Sequence, residues 1–374
     1  RRVKSLMTTA YMSILTLLRL HGMIAGEMAV PAAPAANHGT AVREEFMMRF
    51  RNSLRHLMLA GVLILGAAGF SDAEAAAYAS RTLDVTPVKT EVRQISGIVY
   101  EQVPSRGYAN TALQLDLLQP QKKTKMPAIV YVTGGGFINA NRDNGVQLRN
   151  YLAEKGYVVA SITYRVAPTA RFPEPLEDVK ASIRYLRANA DKWNIDKDRI
   201  GIIGGSAGGY LAAFAGTTSG TTTFDKGENL QESSRVSCAV DLYGLSDLTR
   251  VGMDYSPEVQ KLHRSAGATE ALWVNGSSVF GGKDGGIQAD PEAAAKANPI
   301  TYIGKNSAPM LLMHGTADTV VSPGQTDLLY QALKAKGIEA ERYLIPGARH
   351  GGVYWVQDNV LDVIGSFFDR YLMR

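Results

Sequence analysis

The sequence predicts an α/β domain, a mostly parallel β-sheet covered by helices on both faces. Three observations predict it. From residue 95 onward, apolar runs of strand length alternate with stretches whose apolar residues recur at helical spacing. Ala128-Ile-Val-Tyr-Val132 is apolar without interruption, as a strand buried on both faces must be. Finally, Ile200-Gly-Ile-Ile-Gly204-Gly205-Ser206-Ala207-Gly208-Gly209-Tyr210 runs from apolar residues through glycines into small helix formers, which spells strand, sharp turn, helix.

Composition agrees with a globular chain. Hydrophobic residues make up 45% and charged residues 20%, so a large core can be buried and no disordered, collagen-like or disulfide-rich class fits. The formal charge is +5, but residues 1–75 hold 8 Lys/Arg against 5 Asp/Glu, leaving 32 against 30 for the remainder, a charge of +2. No nucleic-acid partner is expected from that balance. The N-terminal region reads in two parts. Residues 1–46 show no persistent period and are expected to be an extension upstream of a start at Met47 or Met48. Residues 47–75 combine a basic start, an apolar stretch too short for a comfortable span and a small-residue cleavage site. They are expected to be a secretory signal peptide, followed by a linker over 76–94, so the mature protein would be secreted or periplasmic with no membrane span. Cys238 is the only cysteine, and its apolar neighbours place it in a core strand rather than at a reactive site.

The catalytic-size domain is expected over 95–374. Strands over 95–100 and 113–118 form a leading hairpin, with a turn at 106–110. After the strand at 128–132 come a helix over 147–155, a strand over 157–164 and a helix over 175–189. In that helix Leu176, Val179, Ile183 and Leu186 mark one apolar face, and Pro175 suits its first turn. The strand-turn-helix at 200–213 follows, then a strand over 237–242. Residues 245–298 break the alternation with scattered glycines and aromatics and one short helix near 291–297, and are expected to form a lid that shapes the pocket. A strand at 310–314, a helix over 323–336, a strand over 340–345 and a helix over 357–372 complete the chain.

Chemistry enters at Gly204-Gly205-Ser206-Ala207-Gly208, which fits the G-x-S-x-G elbow that lifts a serine hydroxyl clear of the backbone. An incidental serine in a glycine-rich turn would look the same locally, so context decides. A serine nucleophile needs a base, and the base needs an anchoring acid. Beyond residue 75 the histidines are His263, His314 and His350. His350 lies in a glycine-rich loop after the last strand, at the carboxyl end where open α/β sheets hold active groups, and is the expected base. His314 ends a strand and reads as a residue that bonds locally or packs, and His263 falls in the insertion. Asp318, on the loop leaving the strand at 310–314, is the expected acid, with Asp241 and Asp247 as competitors that could instead cap local turns. The order Ser206, Asp318, His350 is that of the hydrolase elbow motif. Thr133-Gly134-Gly135-Gly136-Phe137 follows a buried strand, so Gly135 and Gly136, with Ala207, are the expected oxyanion donors. The glycines lack dinucleotide spacing, and no His or Cys pair has metal-ligand spacing, so neither a cofactor nor a metal is expected.

Taken together, Thr133-Gly-Gly-Gly-Phe137, Tyr164-Arg165-Val-Ala167-Pro168, Phe172-Pro173 with Leu176-Glu177-Asp178-Val179, Asp198-Arg199-Ile200 and the serine elbow resemble the hormone-sensitive-lipase-like carboxylesterases, close to bacterial acetyl-esterases and xylan-esterase-like enzymes. The resemblance spans roughly residues 95–372. It implies the α/β-hydrolase fold with about eight strands, a cap insertion, and cofactor-free hydrolysis of small-molecule or carbohydrate esters through an acyl-enzyme. The family's serine, acid, base and oxyanion positions fall on Ser206, Asp318, His350, Gly135, Gly136 and Ala207. One position departs: the oxyanion motif usually begins with histidine, and here it begins with Thr133, whose shorter hydroxyl can still brace the loop. Arg165 and Asp178 read as a structural ion pair. A serine peptidase of the prolyl-oligopeptidase type, or a lipase, would share the same core residues.

Overall fold

The computed structural model describes residues 80–106 and 108–374. The extension over 1–46 and the signal segment over 47–75 lie outside the described residues. Residues Thr86–Arg374 make up one compact unit.

An eight-stranded sheet runs through that unit in the order β1-β2-β4-β3-β5-β6-β7-β8. The leading hairpin, β1 (Val92–Ser105) and β2 (Tyr108–Pro120), is antiparallel and longer than its apolar alternation predicts. β1 is the sheet edge, where one exposed face lets polar residues continue the ladder that the pattern of leucines begins. The expected linker over 76–94 therefore ends early, since β1 starts at Val92. β3 (Met126–Val132), β4 (Val158–Ile162), β5 (Ile195–Gly205), β6 (Ala239–Leu242), β7 (Met310–Gly315) and β8 (Ala340–Ile345) are parallel to one another.

Side chains alternate across the sheet and feed two cores. Val130, Ile202 and Leu312 point to the face covered by α2 (Glu174–Ala188), α3 (Ala207–Thr217) and α7 (Pro323–Ala335). Ile129, Ile203, Val240 and Leu311 point to the other, covered by α1 (Val146–Lys155) and α8 (Asp358–Leu372). This is why the central strands read as unbroken apolar runs: each neighbour in sequence serves a different core. Cys238 is buried in the second core, and burial pushes its thiol up, as its apolar neighbours imply.

The insertion holds more regular structure than its sequence suggests. Besides α6 (Pro291–Lys296), it contains α4 (Pro257–His263) and α5 (Thr269–Asn275). No residue of α4 is buried, so it carries no apolar stripe to betray it. α5 is anchored by Trp273, which is fully buried.

Candidate active site

Parallel pairing sets the carboxyl ends of β3, β5, β7 and β8 along one sheet edge. Val132 stands opposite Gly204, and Gly315 opposite Ile345, so the loops that follow are neighbours. The turn after β5 is tight. A Cβ on Gly208 would stand 2.1 Å from the Val132 carbonyl oxygen, and one on Gly204 2.2 Å from the Gly208 carbonyl oxygen, so only glycine fits at either position. Ser206 between them adopts φ 58°, ψ −124°, a strained conformation held by its N–H bond to the Leu242 carbonyl at 2.8 Å. Its side chain makes no capping bond to α3 and is free to face outward.

The structure brings Ser206, His350 and Asp318 into one hydrogen-bonded chain. Ser206 Oγ lies 2.8 Å from His350 Nε2, and His350 Nδ1 lies 2.7 Å from Asp318 Oδ2. Asp318 Oδ1 accepts the backbone N–H groups of Val320 and Val321 at 2.8 and 3.0 Å. Burial by itself would raise the Asp318 carboxyl, but bonds from His314 and His350, the charge of His350 and the Val320 N–H together hold it well below the usual carboxylate range. It is therefore an anion at neutral pH, able to fix the imidazole. Tyr243 presses edge-on against the His350 ring with centroids 4.8 Å apart, and Trp355 packs against Tyr243 in turn.

Above the serine, the N–H groups of Gly135 and Gly136 meet no acceptor among the described residues, and that of Ala207 is an orphan donor at the first position of α3. The loop is held from beneath. Tyr164 Oη donates to the Thr133 carbonyl at 2.8 Å, and the Ala167 N–H donates to the Phe137 carbonyl at 2.9 Å. Phe137 itself has φ 67°, a conformation that its packing against Trp273 (4.5 Å) and Tyr210 (5.4 Å) imposes. Thr133 is buried, and its hydroxyl donates to the Gly134 carbonyl at 3.1 Å while accepting from Asn144 Nδ2 at 3.2 Å. The hydroxyl thus braces the loop where the resembling family has histidine. Arg165 and Asp178 form the expected ion pair, closest at 2.6 Å, and fix the segment after β4 that supports this loop.

The competing residues go elsewhere. Asp241 is buried behind the elbow, accepts the Gly244 N–H at 2.8 Å and leaves Oδ2 without a partner; burial pushes its carboxyl up to about 8. Asp247 caps the short turn Leu248–Arg250. His263 pairs with Glu270 at 2.6 Å inside the insertion. His314, read from sequence as bonding locally or packing, touches the Asp318 carboxylate at 3.2 Å. Its spacing of four residues before Asp318 was the available signal.

A cleft of about 720 Å³ opens beside Ser206 and His350. Its walls come from Tyr131, the glycine loop, Asn144 and Gln147 at the start of α1, Tyr243 and the Gly351–Val356 turn. No residue of 245–298 lines it, which corrects the expectation that the insertion shapes this pocket. The insertion acts from behind: Trp273 Nε1 donates to Tyr210 Oη at 3.2 Å, Tyr210 Oη donates to the Ala297 carbonyl at 2.7 Å, and the Phe172 N–H donates to the Trp273 carbonyl at 2.8 Å. Among the described residues, no group of three or more His, Cys, Asp or Glu side chains is arranged to hold a metal ion.

Known proteins resemble this chain in sequence and in fold. The BD-FAE family profile matches residues 115–333. Esterase LipC of Mycobacterium tuberculosis is 31% identical over 227 residues, covering 60% of this chain and 53% of its own length. Among solved structures, a truncated carbohydrate esterase from gut microbiota superposes with a TM-score of 0.65 at 28% identity, over 77% of this chain and 99% of that one. The butyrate-bound esterase Est2 of Thermogutta terrifontis gives 0.57 at 26%, over 75% and 94%. The chain spans about half the length of the curated relatives it matches. The fold is that of the α/β-hydrolases.

Proposed function

Since the chain belongs to the BD-FAE family, we propose that it is a serine carboxylesterase that cleaves carboxylic esters through an acyl-enzyme on Ser206. The single observation that carries the reading is the unbroken chain from Ser206 Oγ through His350 to Asp318, with bonds of 2.8 and 2.7 Å. His350 Nε2 takes the serine proton as Oγ attacks the ester carbonyl. Asp318 keeps the ring in the tautomer whose Nε2 is free to accept, and it stabilises the imidazolium that forms. The N–H groups of Gly135, Gly136 and Ala207 receive the oxyanion, His350 returns the proton to the departing alcohol, and water repeats the sequence on the acyl-enzyme.

The substrate is a small or carbohydrate ester with a short acyl group. A carbohydrate esterase and a butyrate-bound esterase among the structural neighbours support this class, and a cleft walled by tyrosines, Asn144 and Gln147 offers a hydroxylated alcohol part both stacking and hydrogen bonds. Export through the segment over 47–75 remains part of the proposal; N-terminal sequencing of secreted protein beginning near Ala76 is the expected outcome. Among the described residues, no helix is long and apolar enough to cross a membrane.

The test is a panel of p-nitrophenyl esters of rising chain length beside an aminoacyl-proline anilide. Turnover is expected for the short esters and not for the anilide, and Ser206→Ala is expected to lower kcat by on the order of 10⁴-fold or more while leaving the fold intact. Anilide cleavage at a rate rivalling the esters would make the enzyme a peptidase.

A further inference from the structure

His314 has no role in the mechanism above, yet it is fully buried and placed against the group that orients the base. Its Nε2 lies 2.9 Å from the Val321 carbonyl oxygen and 3.2 Å from Asp318 Oδ2. A carbonyl can only accept, so this nitrogen carries the proton. On the other side, Nδ1 lies 3.1 Å from Thr326 Oγ1, whose one proton also has the Pro323 carbonyl as an acceptor at 3.1 Å. The Nε2–H is therefore shared, directed mainly at the Val321 carbonyl with the carboxylate as second acceptor. The Val321 N–H returns to Asp318 Oδ1 at 3.0 Å, which closes a ring: imidazole to carbonyl, amide to carboxylate, carboxylate to imidazole.

We propose that His314 is a positioning residue for the reaction, a second histidine that holds Asp318 from behind and limits how strongly Asp318 draws protons onto His350. The inference rests on the reading of Ser206, His350 and Asp318 as the reacting set. Asp318 Oδ2 is shared by two histidines, one exposed to the cleft and one not. A carboxylate already receiving the His314 proton is a weaker acceptor for His350 Nδ1–H, so less of its charge stabilises the His350 imidazolium. Removing the inner donor has a defined sign. Asp318 then favours the protonated base, His350 stays cationic to a higher pH, and the acid limb of the kcat/KM profile moves upward.

Other ionisable groups packed around the pair are Tyr243 from the turn after β6, Tyr255 and Asp254 from the insertion, and Arg342 from β8, which reaches Thr326 Oγ1. None of them changes in the variants below. Each variant therefore reports on the inner donor.

Two measurements test this. The first is the histidine ¹⁵N–¹H correlation spectrum of the unaltered protein, which reads tautomers directly and needs no substrate: His314 is expected to carry a proton on Nε2. A proton on Nδ1 alone overturns the proposal even if the enzyme is an esterase, whereas absence of ester turnover would remove the functional reading and leave this result standing. The second is the pH profile of variants. His314→Leu is expected to raise the acid limb by about 0.5–1 pH unit, a loss of roughly 3–10-fold in kcat/KM at any pH below it. His314→Gln, whose amide nitrogen reaches the place of Nε2, is expected to restore the limb. His314→Asn carries its donor near Nδ1 only and is expected to behave like the leucine variant. Folded leucine or asparagine variants whose limb coincides with the unaltered enzyme, with only the melting temperature lowered, would show that His314 merely fills space.

Discussion

A single methyl group at Gly134 is enough to test how closely the oxyanion loop is fitted to the nucleophile. Its Cβ would lie 2.5 Å from the Gly205 carbonyl oxygen and 3.0 Å from Ser206 Cβ, and neither backbone nor nucleophile can yield. At Gly136, by contrast, nothing lies within 4 Å and the cost is confined to φ +58°, roughly 1–2 kcal/mol for an alanine. Gly134→Ala is therefore expected to lower kcat/KM for p-nitrophenyl acetate by about 10²-fold, the scale of a misplaced oxyanion donor, and Gly136→Ala by far less. Equal losses would mean that the loop is not fitted in this way. At this scale the sequence was informative where a residue's role follows from its place after a strand, as for Ser206, Asp318 and His350. It named no partner where a role depends on a contact made across a loop. His314 meets Asp318 only because the 318–321 turn folds back over the imidazole, and Thr133 finds Asn144 eleven residues away.

The elements differ in legibility for a related reason. β3, β7 and the 200–205 half of β5 are buried, so nearly every residue there is apolar or glycine and the run announces itself. α2 is buried over most of its circumference, Lys180 and Arg184 included, and its stripe of Leu176, Val179, Ile183 and Leu186 is buried as its spacing implies. α4 buries nothing and is held by local chemistry, with Ser256 capping the Val259 N–H and Pro257 in the first turn. That start signal was present in the sequence without an apolar face to support it. The insertion as a whole was expected at the mouth of the pocket because long interruptions usually serve function. It does so indirectly: the buried Trp273 supports Phe137 at one end of the glycine loop and Tyr210 on the helix behind the elbow. The segment Tyr164–Ala167, quoted above for its resemblance to a family, has a physical role in the same place, since its hydroxyl and N–H groups hold both ends of that loop.

For the whole molecule, the two buried aspartates near the elbow pull stability in opposite directions with pH. Asp318, held below its ordinary range, stabilises the fold above the unfolded carboxylate value of about 3.9, and that contribution is lost as pH falls below it. Asp241 has the reverse sign. Raised by burial to about 8, it favours the fold fully below the unfolded value and progressively less as pH rises towards 8, with Glu101, raised to about 7, adding to the same trend. Asp241→Asn keeps an acceptor for the Gly244 N–H and cannot ionise. The drop in melting temperature between about pH 5 and pH 9 is expected to shrink by several degrees in this variant, and an unchanged drop would mean that Asp241 is charged in the folded protein. The central claim is that one serine, at the turn between β5 and α3, is where the acyl group is carried. It is tested most directly by reacting the protein with a p-nitrophenyl phosphonate and locating the adduct by peptide mass spectrometry while following ester hydrolysis. The expected result is one phosphonyl group per chain, on Ser206, with activity lost in proportion to labelling. Full labelling of Ser206 with undiminished turnover, or inactivation with the adduct on another residue, would contradict the account.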